Sequence, residues 1–142
     1  MKLVKLLTIV IALFTTFSAN AEDLALDGYC PVCYIAAGKA AKGTEEFQSS
    51  YEGKTYYFVS SDVKDMFDKE PTKWLPQYDG FCAYGMALGK KFESDPTAFT
   101  VAKGKLYLNK NKEISTKFQD DQRKLTRAAD KNWKKMQKEM KQ

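Results

Sequence analysis

Three cysteines, Cys30, Cys33 and Cys82, are the residues of this sequence best suited to chemistry. Cys30-Pro31-Val32-Cys33 is a C-x-x-C turn. That spacing brings two sulfurs close enough to share one ion or to form a strained disulfide. Pro31 fixes its own φ and restrains Cys30 before it. Cys82 can join the pair only through the fold. Three thiolates would then make a trigonal site for a soft ion such as Cu(I), or an incomplete tetrahedron for Zn²⁺. Met86 lies one helical turn beyond Cys82 and can offer a thioether on the same face. The chain contains no histidine. This excludes the Ser-His-Asp triad, the Cys-His pair, His-ligated zinc and haem held through C-x-x-C-H. Sulfur donors without imidazole favour Cu(I) over Cu(II) or Ni²⁺.

Plainer readings stand beside these. Cys30 and Cys33 can be a small disulfide in an oxidising compartment. Cys82 can be a small buried apolar residue, and Met86 can be core packing. An odd number of cysteines leaves a free thiol, an intermolecular bridge or a metal site.

The compartment follows from the N-terminus. Lys2 and Lys5 precede an apolar run from Leu6 to Phe17, too short to cross a bilayer as a helix. Ala19-Asn20-Ala21 supplies small residues where a signal peptidase reads them. Residues 1–21 are therefore expected to be a signal peptide cleaved after Ala21, which implies a periplasmic or secreted protein. The mature chain, 22–142, has no other run long and apolar enough to span a membrane. The whole chain carries +5, and the mature part +3. From Gln122 onward the balance is +6, and from Glu22 to Asp121 it is −3. A mildly acidic body with a basic tail is not the field of a nucleic-acid binder, so no nucleic-acid partner is expected.

The elements that position the cysteines read as α+β: a small antiparallel sheet of hairpins, short helices, and a long C-terminal helix. Gly28 to Cys33 is turn-rich, and Ile35 to Lys42 is a short helix or a loop. Phe47 to Ser50 and Thr55 to Val59 form a hairpin around Gly53. Ser60-Ser61-Asp62 opens a helix carrying Val63, Met66 and Phe67 on one face. Pro71 ends it and can open another around Trp74. Gly80 to Gly89 reads as a short buried helix with Cys82 in its first turn. Phe99 to Val101 and Leu106 to Leu108 flank Lys103-Gly104 as a second hairpin. From Lys112 onward, Ile114, Phe118, Leu125, Ala129, Trp133, Met136 and Met140 form one apolar stripe. Phe118, Leu125, Trp133 and Met136 are expected to face inward. No internal repeat is evident.

Cys30-Pro31-Val32-Cys33, Tyr51-x-Gly53-Lys54-x-Tyr56-Tyr57-Phe58, Ser60, Phe67 and Pro71 together resemble the YHS domain. Tyr78-x-Gly80-Phe81-Cys82-Ala83-Tyr84, Asp95-Pro96, Gly104 to Asn109 and Ala129-Asp130-x-Asn132-Trp133 resemble the secreted single-domain YHS proteins of bacteria. The resemblance implies one YHS-like domain over 22–142, with a core at 28–109 and a helix at about 112–140. It also implies metal binding through cysteines. The metal-binding YHS pattern has two more cysteines where this chain has Val59 and Val63. Many secreted members carry Asp and Ala where this chain has Cys30 and Cys33.

The expected function is an exported module holding a soft metal ion, Cu(I) or Zn²⁺, at Cys30, Cys33 and Cys82, with Met86 as a further candidate. The alternatives are a non-catalytic binding or structural domain with a Cys30–Cys33 disulfide and an unidentified protein partner, or a thiol redox protein. A thioredoxin-like enzyme places C-x-x-C after a strand inside a βαβ unit, which is not read here. No nucleophile–base pair, phosphate loop or carboxylate couple marks an enzyme.

Overall fold

The computed structural model describes residues 23–142. The expected signal peptide, 1–21, lies outside the described residues. The fold is α+β, as expected. Its first half runs β1 (Asp23–Leu24), a 3-10 turn (Ala25–Gly28), α1 (Pro31–Ala37), β2 (Thr44–Tyr51), β3 (Lys54–Phe58), α2 (Ser61–Lys69) and α3 (Pro71–Trp74). Its second half runs through a 3-10 turn (Gln77–Gly80), α4 (Ala83–Ala87), β4 (Asp95–Ala102), β5 (Lys105–Asn109), α5 (Lys112–Asp120) and α6 (Gln122–Met140). One sheet has the order β1-β3-β2, with β1 parallel to β3. The other is the β4-β5 hairpin.

The second half repeats the first, although no repeat is evident in the sequence. The β2–β3 pairing runs Thr44↔Phe58, Gln48↔Tyr57, Ser49↔Tyr56, Ser50↔Thr55 and Tyr51↔Lys54, with a bulge between Thr44 and Gln48. The β4–β5 pairing runs Asp95↔Asn109, Phe99↔Leu108, Thr100↔Tyr107, Val101↔Leu106 and Ala102↔Lys105, with the same bulge between Asp95 and Phe99. Both hairpins turn on a left-handed residue followed by glycine, Glu52-Gly53 and Lys103-Gly104, the backbone that a tight hairpin turn demands. The parallel pairing of Leu24 with Thr55 recurs as a bridge from Pro76 to Leu106. Ser60 caps α2 by accepting from the Val63 amide at 3.3 Å, and Asn111 caps α5 by accepting from Ile114 at 2.9 Å. Even the 3-10 turns match. Leu26-Asp27-Gly28 and Tyr78-Asp79-Gly80 are each three successive left-handed residues.

Each half packs around one phenylalanine of its main helix. Phe67 is surrounded by Tyr51, Tyr56 and Phe58, with ring centroids 6.1, 5.1 and 5.0 Å away. Its counterpart Phe118 packs on Tyr107 at 5.3 Å. Tyr34, Leu106 and Leu108 form a further buried cluster. The Tyr34 hydroxyl donates to the Pro96 carbonyl at 2.8 Å, tying α1 of the first half to β4 of the second.

The stripe expected from Lys112 onward is two helices rather than one. Asp121, at φ −132°, separates α5 from α6. The change of direction falls at Asp121, between Phe118 and Leu125. α5 lies on its hairpin, whereas α6 crosses α4. Ala129 is fully buried, and Asn132 Nδ2 donates to the Met86 and Ala87 carbonyls at 2.9 and 3.1 Å, closing the end of α4. Asp130 accepts from the Tyr78 hydroxyl at 2.7 Å. Phe118 is fully buried as expected, whereas Leu125, Trp133 and Met136 are only half-buried.

These buried phenols set an alkaline limit on the fold. Burial raises the Tyr34, Tyr56, Tyr78 and Tyr107 hydroxyls above the ordinary tyrosine range, Tyr56 to about 12. Tyr78 is raised further by its bond to Asp130. An acid with a raised folded pKa keeps its proton in the native state and loses it sooner on unfolding. The stability it contributes is therefore complete below the unfolded value of about 10 and falls as pH rises above it. A spectrophotometric titration should show these four phenols ionising together with loss of near-UV circular dichroism. Their reversible ionisation in folded protein below pH ~10.5 would contradict the burial argument.

Candidate metal centre

Pro31 stands at the first position of α1, where its missing amide costs nothing. Cys30 is thereby the N-cap and Cys33 the third residue of the helix. The expected turn at Gly28 to Cys33 is thus half turn and half helix. The Cys30 amide donates to the Ala41 carbonyl at 2.8 Å, and Gly38 ends the helix in a left-handed conformation with its amide on the Cys33 carbonyl. The two thiols are neighbours across the first turn of α1. Both are buried, Cys30 completely and Cys33 to 7% exposure, among Val32, Phe58, Phe67 and Trp74.

Burial pushes the Cys33 thiol up to about 12, and the neighbouring Cys30 thiol adds to the rise. Lys39 pulls the other way but more weakly. Cys33 is therefore held as a thiol in an apolar setting. Such a cysteine is a poor nucleophile, because the thiolate is the reactive species. A thiol redox enzyme needs one exposed, low-pKa sulfur. Cys30 and Cys33 supply neither exposure nor, at Cys33, a lowered pKa.

Cys82 does not join them. Among the described residues no three Cys, Asp or Glu side chains lie together so as to hold a metal ion. The expected three-thiolate centre is therefore not assembled. Cys82 occupies the position in the second half that Cys30 occupies in the first. It caps α4, and its amide donates to the Phe92 carbonyl at 2.9 Å, as that of Cys30 does to Ala41. Its sulfur lies 3.4 Å from the Gly85 amide and 3.6 Å from Asn109 Oδ1. A second thiol has no room here. Gly85 stands where Cys33 stands, and a β-carbon on it would lie 2.6 Å from Phe92 Cδ2. The Phe92 ring fills the space that a side chain at position 85 would take. Met86 is fully buried in the cluster of Tyr78, Tyr107 and Phe118 and serves as core.

Sequence reasoning passed over Asn109. It is fully buried, its Oδ1 also accepts from the Tyr84 amide at 3.0 Å, and its Nδ2 has no partner among the described residues. A polar residue ending an otherwise apolar strand, Leu106-Tyr107-Leu108-Asn109, was the available signal.

Residues 31–78 match the family model of the YHS domain. The match begins at the first residue of α1 and ends inside the second 3-10 turn, so it covers most of the first half and little of the second. No curated protein and no solved structure matches the chain significantly.

Proposed function

We propose that this is an exported YHS-like module that binds one soft metal ion, Cu(I) foremost, through Cys30 and Cys33. The observation that carries this reading is the adjacency of two thiols at the N-cap and third residue of α1, within the segment that matches the YHS domain. The donor set selects the metal. Thiolates without imidazole suit Cu(I), for which two sulfurs suffice. A structural zinc wants four ligands, and among the described residues no third Cys, Asp or Glu joins the pair. Cys33, the less buried of the pair, is the side from which an ion would approach. Export is read from residues 1–21.

A second reading keeps Cys30 and Cys33 as a disulfide. Their closeness favours it, since neighbouring sulfurs need little movement to be joined.

Competition titration of anaerobically reduced protein with Cu(I) tests both. The expected result is one ion per chain, with affinity lost by about a thousandfold or more in Cys30→Ser and in Cys33→Ser, as removal of one of two thiolates implies. Cys82→Ser should stay within about threefold. No binding by reduced protein, with a Cys30–Cys33 disulfide in protein from its native host, would replace the metal reading with the disulfide one. Strong dependence on Cys82 would mean that the chain rearranges to bring three sulfurs together.

A further inference from the structure

The two halves meet at a cleft of about 860 Å³, within the size range of small-molecule sites. Equivalent residues from both halves line it: Leu24 with Pro76, Leu26 with Tyr78, and Asp27 with Asp79. The cleft thus sits where the two left-handed 3-10 turns face one another. None of the three cysteines lines it.

Its lining is acidic. Five carboxylates, those of Asp23, Asp27, Glu52, Asp79 and Glu93, line it against one base, Lys54, and the exposed Lys91 ammonium stands 5.2 and 5.8 Å over the Phe81 and Trp133 rings, faces that therefore already take a cation. Lys54 is already paired with Asp79 at 3.0 Å. The other four carboxylates have no ion pair among the described residues. They sit at the exposed rim in a chain whose overall charge is +5. Beneath the rim the surface is aromatic. Tyr56 is buried, and Tyr51, Phe81 and Trp133 are half-buried along the walls. Aromatic faces attract cations, and carboxylates around a partly desolvated floor reinforce that attraction.

We propose that this cleft binds a small organic cation, an ammonium or guanidinium group carried on an apolar body. The charged head lies inside the acidic rim over the aromatic floor, where it displaces the Lys91 ammonium from the Trp133 ring. The body lies against Leu26, Tyr78 and Trp133. An anion is repelled by the rim, and a neutral molecule of the same shape lacks the charge contribution. The carboxylates come from separate segments and do not converge on a point, so a bare metal ion is not the ligand. The site shares no residue with the Cys30–Cys33 pair, and its occupancy does not depend on that reading.

Calorimetry together with tryptophan fluorescence tests this, since Trp133 lines the cleft. The probes are phenethylamine, its neutral analogue 2-phenylethanol, its anionic analogue 3-phenylpropionate, and the aliphatic cations agmatine and spermidine. At least one cation should bind one-to-one and change the emission. Phenethylamine should bind about tenfold or more tightly than 2-phenylethanol, with 3-phenylpropionate undetectable. Raising the salt should weaken the cation selectively. The exposed double variant Asp27→Asn/Glu93→Gln, with unchanged circular dichroism, should lose about tenfold or more for the cations alone. Equal binding of the amine and the alcohol overturns the proposal. So does indifference to the double variant, or the absence of binding by all three cations at about 10 mM.

Discussion

Alanine in place of Phe118 lowers the free energy of unfolding by about 3–5 kcal/mol, and alanine in place of Phe67 does the same within about 1 kcal/mol. Both rings are buried, to 0% and 1% exposure, and each stands at the centre of an aromatic cluster built by its own hairpin. Removing either ring strips dispersion contacts from several neighbours at once and leaves a void that the sheet above cannot fill. Against a domain stability of about 5–15 kcal/mol, one such loss brings the protein close to unfolding at ordinary temperature. Urea denaturation measures it. Val101→Thr on an exposed strand position is the control and should move the midpoint little. The unfolding should remain one transition in both variants. Tyr34 bonds to Pro96 across the halves, and the cluster of Tyr34, Leu106 and Leu108 mixes residues of both. Two separated transitions would show that the halves fold independently. An unmoved midpoint in either variant would show that its half is not built on its phenylalanine.

Much of the fold was legible because local rules and tertiary packing agree. Alternation in Lys54 to Phe58 buries Tyr56 and Phe58, and Gly53 and Gly104 mark two hairpin turns that form where expected. Ser60 is an N-cap in sequence and in structure. Asn132 and Asp130 could be picked out as a motif, but not their work. Their partners, Met86, Ala87 and Tyr78, lie 45 to 52 residues away, and no local rule links them. The break at Asp121 escaped the helical stripe because the seven-residue gap from Phe118 to Leu125 fits one continuous helix as well as two on different faces. The C-x-x-C pair was legible as a pair. The isolation of Cys82 was not, since its place is set by Phe92 and Asn109, which sequence alone does not bring near it.

The repeat was hidden for a related reason. The halves keep what backbone geometry requires: Asp27-Gly28 and Asp79-Gly80, Gly53-Lys54 and Gly104-Lys105, Phe67 and Phe118. They exchange what packing allows. Phe58 in the first half stands where Asn109 stands in the second, and Val63 where Ile114 stands. Cys33 and Ala41 correspond to Gly85 and Phe92, a small residue on the helix answered by a large one on the loop. That exchange conserves volume, which is what a close-packed interior tolerates best. It also removes a thiol. Of two equivalent helix starts, only the first carries a dithiol.

The burial of Cys33 gives the proposed metal binding an expected dependence on pH. Burial and the neighbouring Cys30 thiol hold the Cys33 proton until about pH 12, so any ion that binds there must displace it. Affinity then rises at least tenfold per pH unit, from the Cys33 proton alone, across the whole range in which the protein is folded. An exposed thiol behaves differently. Its dependence levels off above about pH 8.5, where the thiolate is already formed. The test is Cu(I) competition at fixed pH from about 6 to 9.5. The expected plot of log affinity against pH is straight, with a slope of at least one and no plateau near pH 8.5. The upper limit is set by the tyrosines above it, since Tyr56 and its buried neighbours weaken the fold as pH rises past about 10. A plateau at or below pH 8 would mean that the ion reaches an already formed thiolate. The first turn of α1 would then have to open to solvent before it binds.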